Sequence, residues 1–138
     1  MQLIKARKRN YMNLIKQQHK RSCLPTCMSM LMGLNYSKCL KLINPKRDWN
    51  KEGIWSDEMF ATFDRLGYKY EIKNITKLSQ LKTNALLMVR SETIKNSMHA
   101  VVFDAETRKV LDPKKRKPIP ACKFRKKLYE VIEVDKIK

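Results

Sequence analysis

From Cys23 to Leu34 the apolar positions Leu24, Cys27, Met28, Leu31 and Met32 recur at three- and four-residue spacing, which predicts a helix with one buried stripe over residues 23–34. Ser22 stands where an N-cap is expected. Pro25 falls in the first turn, where a missing N–H does little harm, and Gly33 marks the stop. A second short helix is predicted over 37–43 from Leu40, Leu42 and Ile43. A loop containing Pro45 follows over 44–53. Ser56 is placed as the cap of a third helix over 57–66. There Met59, Phe60, Phe63 and Leu66 keep helical spacing, Asp57 and Glu58 suit the positive end, and Gly67 ends the run.

After Gly67 the pattern changes. Residues 68–72, 85–90, 98–104, 109–111 and 129–134 are short apolar or alternating runs and predict strands, with a helical turn over 78–81. Residues 11–15 alternate weakly and predict one more short strand. Helices first and an antiparallel sheet afterwards is an α+β order. Residues 1–10 form a basic arm and 11–138 a single domain, without internal repeats.

Composition narrows the function classes. An apolar fraction of 43% suits a folded chain of 138 residues. With only 3 glycines and no G-x-G-x-x-G or Walker pattern, a glycine-rich phosphate loop is nearly excluded. The net charge of +18 points to nucleic acid, an anionic membrane surface or an acidic protein as partner, or to a solvated lysine-rich surface. No apolar run approaches the roughly 20 residues that span a bilayer. The basic start at Lys5, Arg7, Lys8 and Arg9 is not followed by a signal-type apolar stretch, so a cytoplasmic location and reduced thiols are expected for Cys23, Cys27, Cys39 and Cys122.

The chemistry concentrates at Cys23. A cysteine at a helix N-terminus meets a partial positive charge that favours the thiolate, the nucleophilic form. Lys20 and Arg21 add charge nearby. His99 opens the apolar strand Ala100-Val-Val-Phe103 and is the candidate base. A hairpin turning near 105–108 would return Asp112 to its side, where a carboxylate could hold the imidazole tautomer. Gln17 is a candidate amide donor to an oxyanion, beside the Cys23 N–H.

The order Gln17–Cys23–helix, then Gly53 through Phe60 to Leu66-Gly67, then Met98-His99-Ala-Val-Val-Phe103, then Leu111-Asp112-Pro113, resembles the papain-like cysteine peptidase domains that process bacteriocin leaders at double-glycine sites. The likeness spans residues 11–134. Ser22 replaces the usual acidic residue before the cysteine, and Leu24 the usual glycine after it. The resemblance implies a papain-like fold with the nucleophile helix packed on the sheet. It also implies a Cys23–His99–Asp112 triad with Gln17 as oxyanion donor, a peptide or protein substrate, and no cofactor or metal.

Other readings of the same residues stay open. His19, Cys23 and Cys27, with Cys39, Cys122 or His99, offer zinc-type ligands. Cys27 could be core, and Asp112 before Pro113 could simply open a turn. Trp49, Trp55 and Tyr36 could wall a substrate site or cover the core edge. The run Lys114, Lys115, Arg116, Lys117, continued by Lys123, Arg125, Lys126 and Lys127, is the densest basic patch. It is expected to flank the cleft and contact phosphates or an acidic partner; the alternative function is a catalytically inactive binding module that uses this surface.

Overall fold

The computed structural model describes residues 12–54, 56–92, 95 and 97–136. The predicted arm over 1–10, Tyr11 and Trp55 lie outside them. Three helices come first: α1 (Cys23–Met32), α2 (Tyr36–Ile43) and α3 (Ser56–Arg65). Six strands follow: β1 (Tyr68–Lys73), β2 (Ala85–Arg90), β3 (Met98–Asp104), β4 (Lys109–Leu111), β5 (Ile119–Pro120) and β6 (Glu130–Lys136). They form one antiparallel sheet in the order β1-β6-β2-β3-β4-β5, so the α+β reading holds.

Alternation along the strands builds two apolar layers. Leu86, Ala100, Val102, Leu111, Ile132 and Val134 face the helices and pack with Cys27, Met28, Met59 and Phe63. Ala85, Leu87, Val101, Phe103, Val110 and Val131 face the other way, beneath Leu78, Leu81, Phe124 and Leu128. β3 is therefore buried on both faces, which explains its unbroken apolar run. Each of its large side chains contributes roughly 1.5–3 kcal/mol by leaving water.

The local differences from expectation have physical causes. Met12 to Ile15 are not a strand; they lie against the helix-side core in irregular backbone. α1 stops at Met32 because Gly33 turns left-handed (φ 66°) and Leu34 N–H returns to Ser29 O at 3.1 Å. Asn35 caps α2 by accepting from Lys38 N–H at 2.8 Å, so that helix begins at Tyr36. Ser56 is the first residue of α3 rather than its cap. β5 and the short 3-10 turn at Ala121–Lys123 carry too few residues to show a period in sequence. No described helix is long and apolar enough to cross a membrane.

Candidate active site

Cys23 is the first residue of α1, and α1 packs across β3. The β3–β4 hairpin turns over residues 105–108 and pairs Val102 with Leu111, which sets Asp112 alongside the first half of β3. His99 Nε2–H donates to Asp112 Oδ1 at 2.6 Å, with both side chains buried. That bond leaves Nδ1 for the thiol. The Cys23 thiol lines the same cleft as His99 and lies near enough to the imidazole and to Ala100 N–H for both to favour its thiolate.

Asp112 also opens a turn, since its Oδ1 accepts Lys114 N–H at 2.9 Å. The turn and the histidine bond are made by one carboxylate, so the two readings of Asp-Pro coexist. Gln17 is joined to this corner through its backbone N–H, which donates to Pro113 O at 3.1 Å.

The electrostatics follow from these bonds. Burial pushes the Cys23 thiol up, but the His99 and Ala100 hydrogen bonds and the charges of His99 and Lys114 outweigh it and hold the thiol below its ordinary value. Burial pulls His99 down, yet its bonds to Asp112 and Cys23 raise it to about 9. Burial lifts Asp112, while His99, Lys114 N–H and the Lys115 charge bring it below the usual carboxylate range. The three shifts favour a thiolate–imidazolium pair backed by a carboxylate. By contrast, burial raises Cys27 well above an ordinary thiol and Cys39 to about 12.

Ser22 occupies the N-cap position of α1 but makes no side-chain cap bond. Its hydroxyl instead donates to His19 O at 3.0 Å and accepts from Tyr36 Oη at 2.7 Å. Tyr36 Oη in turn lies 2.7 Å from His19 Nδ1. Since Tyr36 gives its one proton to Ser22, His19 Nδ1 must be the donor in that contact. The resulting ring ties the turn before Cys23 to α2. It also leaves the first N–H groups of α1, those of Cys23 and Leu24, without a side-chain cap, open to a developing oxyanion. Gln17 lines the same cleft, but its Nε2 donates to His19 O (3.0 Å) and Lys20 O (3.3 Å), and its buried Oε1 has no partner.

A cleft of about 1050 Å³ opens over Cys23 and His99. Its lining comes from Gln17, Lys20, Arg21 and Leu24 before and at the start of α1, from Lys51 to Ile54, and from Met88, Ser91, Ser97, Met98 and Lys114. The 44–54 loop reaches this position because Arg21 N–H donates to Trp49 O (2.8 Å) and Lys20 N–H to Asn50 Oδ1 (2.9 Å). Arg47 clamps the loop with paired 2.8 Å bonds to Glu58 and one of 2.9 Å to Gly53 O. Nothing in the sequence marks Lys51 or Met88 for the cleft; Ile54 and Met98 fall within the motif segments, but only the fold shows that they line it.

Of the basic patch, Lys114 lines this cleft. Lys115 and Lys126 converge on Glu92, and Arg125 and Lys126 line a separate cavity of about 580 Å³ with Leu78 and Phe124. Arg116, Lys117, Lys123 and Lys127 are exposed. Trp49 is buried beneath Arg47, and Tyr36 is buried in the hydroxyl ring, so neither walls the cleft. His19 is turned to Tyr36 and Cys27 sits in the core; among the described residues no group of three potential metal ligands occurs. All four cysteines are unpaired.

No protein-family model matches the chain, and no curated protein matches it.

Proposed function

We propose that the chain is a papain-like cysteine hydrolase that cleaves a peptide or amide bond through Cys23, His99 and Asp112. The observation that carries this reading is the buried 2.6 Å bond from His99 to Asp112, with the imidazole sharing one cleft with the Cys23 thiol at the start of α1. The order of the Gln17, Cys23, His99 and Asp112 motifs supports the papain-like assignment.

The Cys23 thiolate attacks the substrate carbonyl carbon, forming a C–S bond while the carbonyl π pair moves to oxygen. The Cys23 and Leu24 N–H groups are the nearest donors for that oxyanion, with the Gln17 amide beside them. The tetrahedral adduct collapses, the C–N bond breaks, and the leaving amine takes the proton from imidazolium His99. Water then gives a proton back to His99 and attacks the thioester. The C–S bond breaks, releasing the acid and regenerating the thiolate–imidazolium pair. Asp112 keeps Nε2 protonated throughout, so Nδ1 is the atom that exchanges protons.

The test is iodoacetamide labelling across pH with peptide mapping. Cys23 is expected to react at pH 6 about tenfold faster than exposed Cys122, with Cys27 and Cys39 unlabelled. The His99→Ala variant should remove that advantage. Equal labelling of all four cysteines, or an inert Cys23, overturns the reading.

A second reading is favoured by the exposed cations Arg116, Lys117, Lys123 and Lys127, which lie outside the cleft. In it, the same fold is an inactive module that holds nucleic acid or an acidic protein on this surface. Such binding would weaken steeply with salt and survive Cys23→Ala.

A further inference from the structure

The residues around the thiol select for charge. Lys20, Arg21, Lys51 and Lys114 all line the cleft that contains Cys23 and His99. Glu52 is the one carboxylate among its described lining residues, and Arg47 Nε sits 3.5 Å from it. Among the described residues, no carboxylate pairs with Lys20, Arg21 or Lys51. The rim therefore carries four cations from three segments of the chain against one carboxylate, which Arg47 also approaches.

Between these charges the wall is aliphatic. Leu24 adjoins the nucleophile, Met98 adjoins His99 and is 39% exposed, and Ile54 and Met88 complete the surface. Apart from His99, the described lining residues include no aromatic ring on which bases could stack. That combination suits an extended polypeptide better than a nucleic acid strand. The volume of about 1050 Å³ lies at the upper end of the range for small-molecule sites, about 300–1,000 Å³, and leaves room for several residues of a chain.

Resting on the thiol hydrolase reading, we infer that the substrate is an acidic peptide, with an apolar residue at the reacting carbonyl and carboxylate side chains on both flanks. Leu24, Ile54, Met88 and Met98 take the apolar residue, and Lys20, Arg21, Lys51 and Lys114 take the carboxylates. The cations also raise the local concentration of acidic chains before contact, an effect that salt screens.

The test uses three peptidyl chloromethyl ketones with the same leucine next to the reactive group and Glu, Gln or Lys as flanking residues. The thiolate displaces chloride and forms a C–S bond, so the rate of Cys23 modification reads recognition directly. At about 0.05 M salt the Glu probe is expected to react about tenfold faster than the Lys probe, with Gln between, and the spread should fall below about threefold at about 0.5 M salt. Lys20→Glu with Lys51→Glu should abolish or reverse the preference. Lys82→Glu with Lys109→Glu changes net charge equally but lies outside the cleft, and should leave the order intact.

Equal rates for the three probes would overturn the inference, as would a preference lost equally in both double variants, or labelling by iodoacetamide but by no peptide. Each of those outcomes leaves the thiol reading standing. Failure of Cys23 to react with any reagent, iodoacetamide included, removes that reading and the inference with it.

Discussion

The backbone N–H of Gln17 donates to the carbonyl of Pro113 at 3.1 Å, so the segment that leads into the nucleophile is fastened to the segment that carries Asp112. The two are far apart in sequence. Their bond makes the positions of Cys23, His99 and Asp112 interdependent, because β3 lies between them and each end of the chain of bonds is held by backbone. A side chain can therefore be altered at one link without releasing the other two.

Asp112→Asn is the cleanest such change. Asparagine keeps an oxygen for His99 Nε2–H and for Lys114 N–H, so the turn survives while the charge is lost. His99 stands at about 9 partly because of that charge, so its value should fall toward the unperturbed 6.5. The rate of peptide hydrolysis is expected to drop about 10²- to 10⁴-fold. The alkaline limb of its pH profile, set by loss of the His99 proton, should move to lower pH. An unmoved limb would mean that Asp112 does not set the imidazole.

How far this site could be read in advance depended on the kind of signal. Helical spacing at Cys27, Met28, Leu31 and Met32 and the apolar run from Ala100 to Phe103 are local patterns, and they located α1 and β3 directly. The hairpin that returns Asp112 to His99 followed from two strands and a short turn. What stayed hidden depends on contacts between distant segments. Ser22 has the composition of a helix cap, but Tyr36 from α2 competes for its hydroxyl and wins, because a buried tyrosine needs a partner. Lys51 and Ile54 reach the cleft through the Arg21–Trp49 and Lys20–Asn50 bonds and the Arg47–Glu58 clamp, and no periodicity reports such contacts.

The His99–Asp112 pair also makes stability depend on pH. The folded value of His99 is raised from 6.5 to about 9, so its contribution is complete below about 6.5 and lost as pH rises through about 9. The thiol, held below its ordinary value, adds a pH dependence of its own, and Cys23→Ala removes it. In that background, the melting temperature should exceed that of Cys23→Ala/His99→Gln most at pH 6 and least at pH 10. A gap that widens with pH would contradict a raised histidine.

Tyr36→Phe deletes one hydroxyl from the ring through His19 and Ser22. Ser22 Oγ is fully buried and would lose its 2.7 Å donor, and His19 Nδ1 would lose its acceptor. The expected cost is about 1–3 kcal/mol, read as a lower melting temperature or denaturant midpoint. Because the ring orients the turn before Cys23 without touching the thiol, iodoacetamide labelling should slow by less than about tenfold. An unchanged melting temperature would show that the ring adds nothing to stability.

Gln17 can be tested for two roles that differ in chemistry. In the resting structure its amide nitrogen donates to His19 O at 3.0 Å and Lys20 O at 3.3 Å, so it holds the turn. To reach an oxyanion it must release the longer of these bonds, the one to the exposed Lys20 carbonyl. Alkylation by iodoacetamide forms no oxyanion, whereas attack on a peptide carbonyl does. If Gln17 stabilises the oxyanion, Gln17→Ala should leave the labelling rate of Cys23 within about threefold while kcat for a chromogenic peptide amide falls about 10²- to 10³-fold and KM stays nearly constant. If it only holds the turn, both rates fall together. Gln17→Glu should be worse than alanine for stability, since a carboxylate would face two carbonyl oxygens with no proton to share. Rescue of stability by Gln17→Glu at low pH, where the acid regains a donor, would separate that repulsion from simple loss of packing.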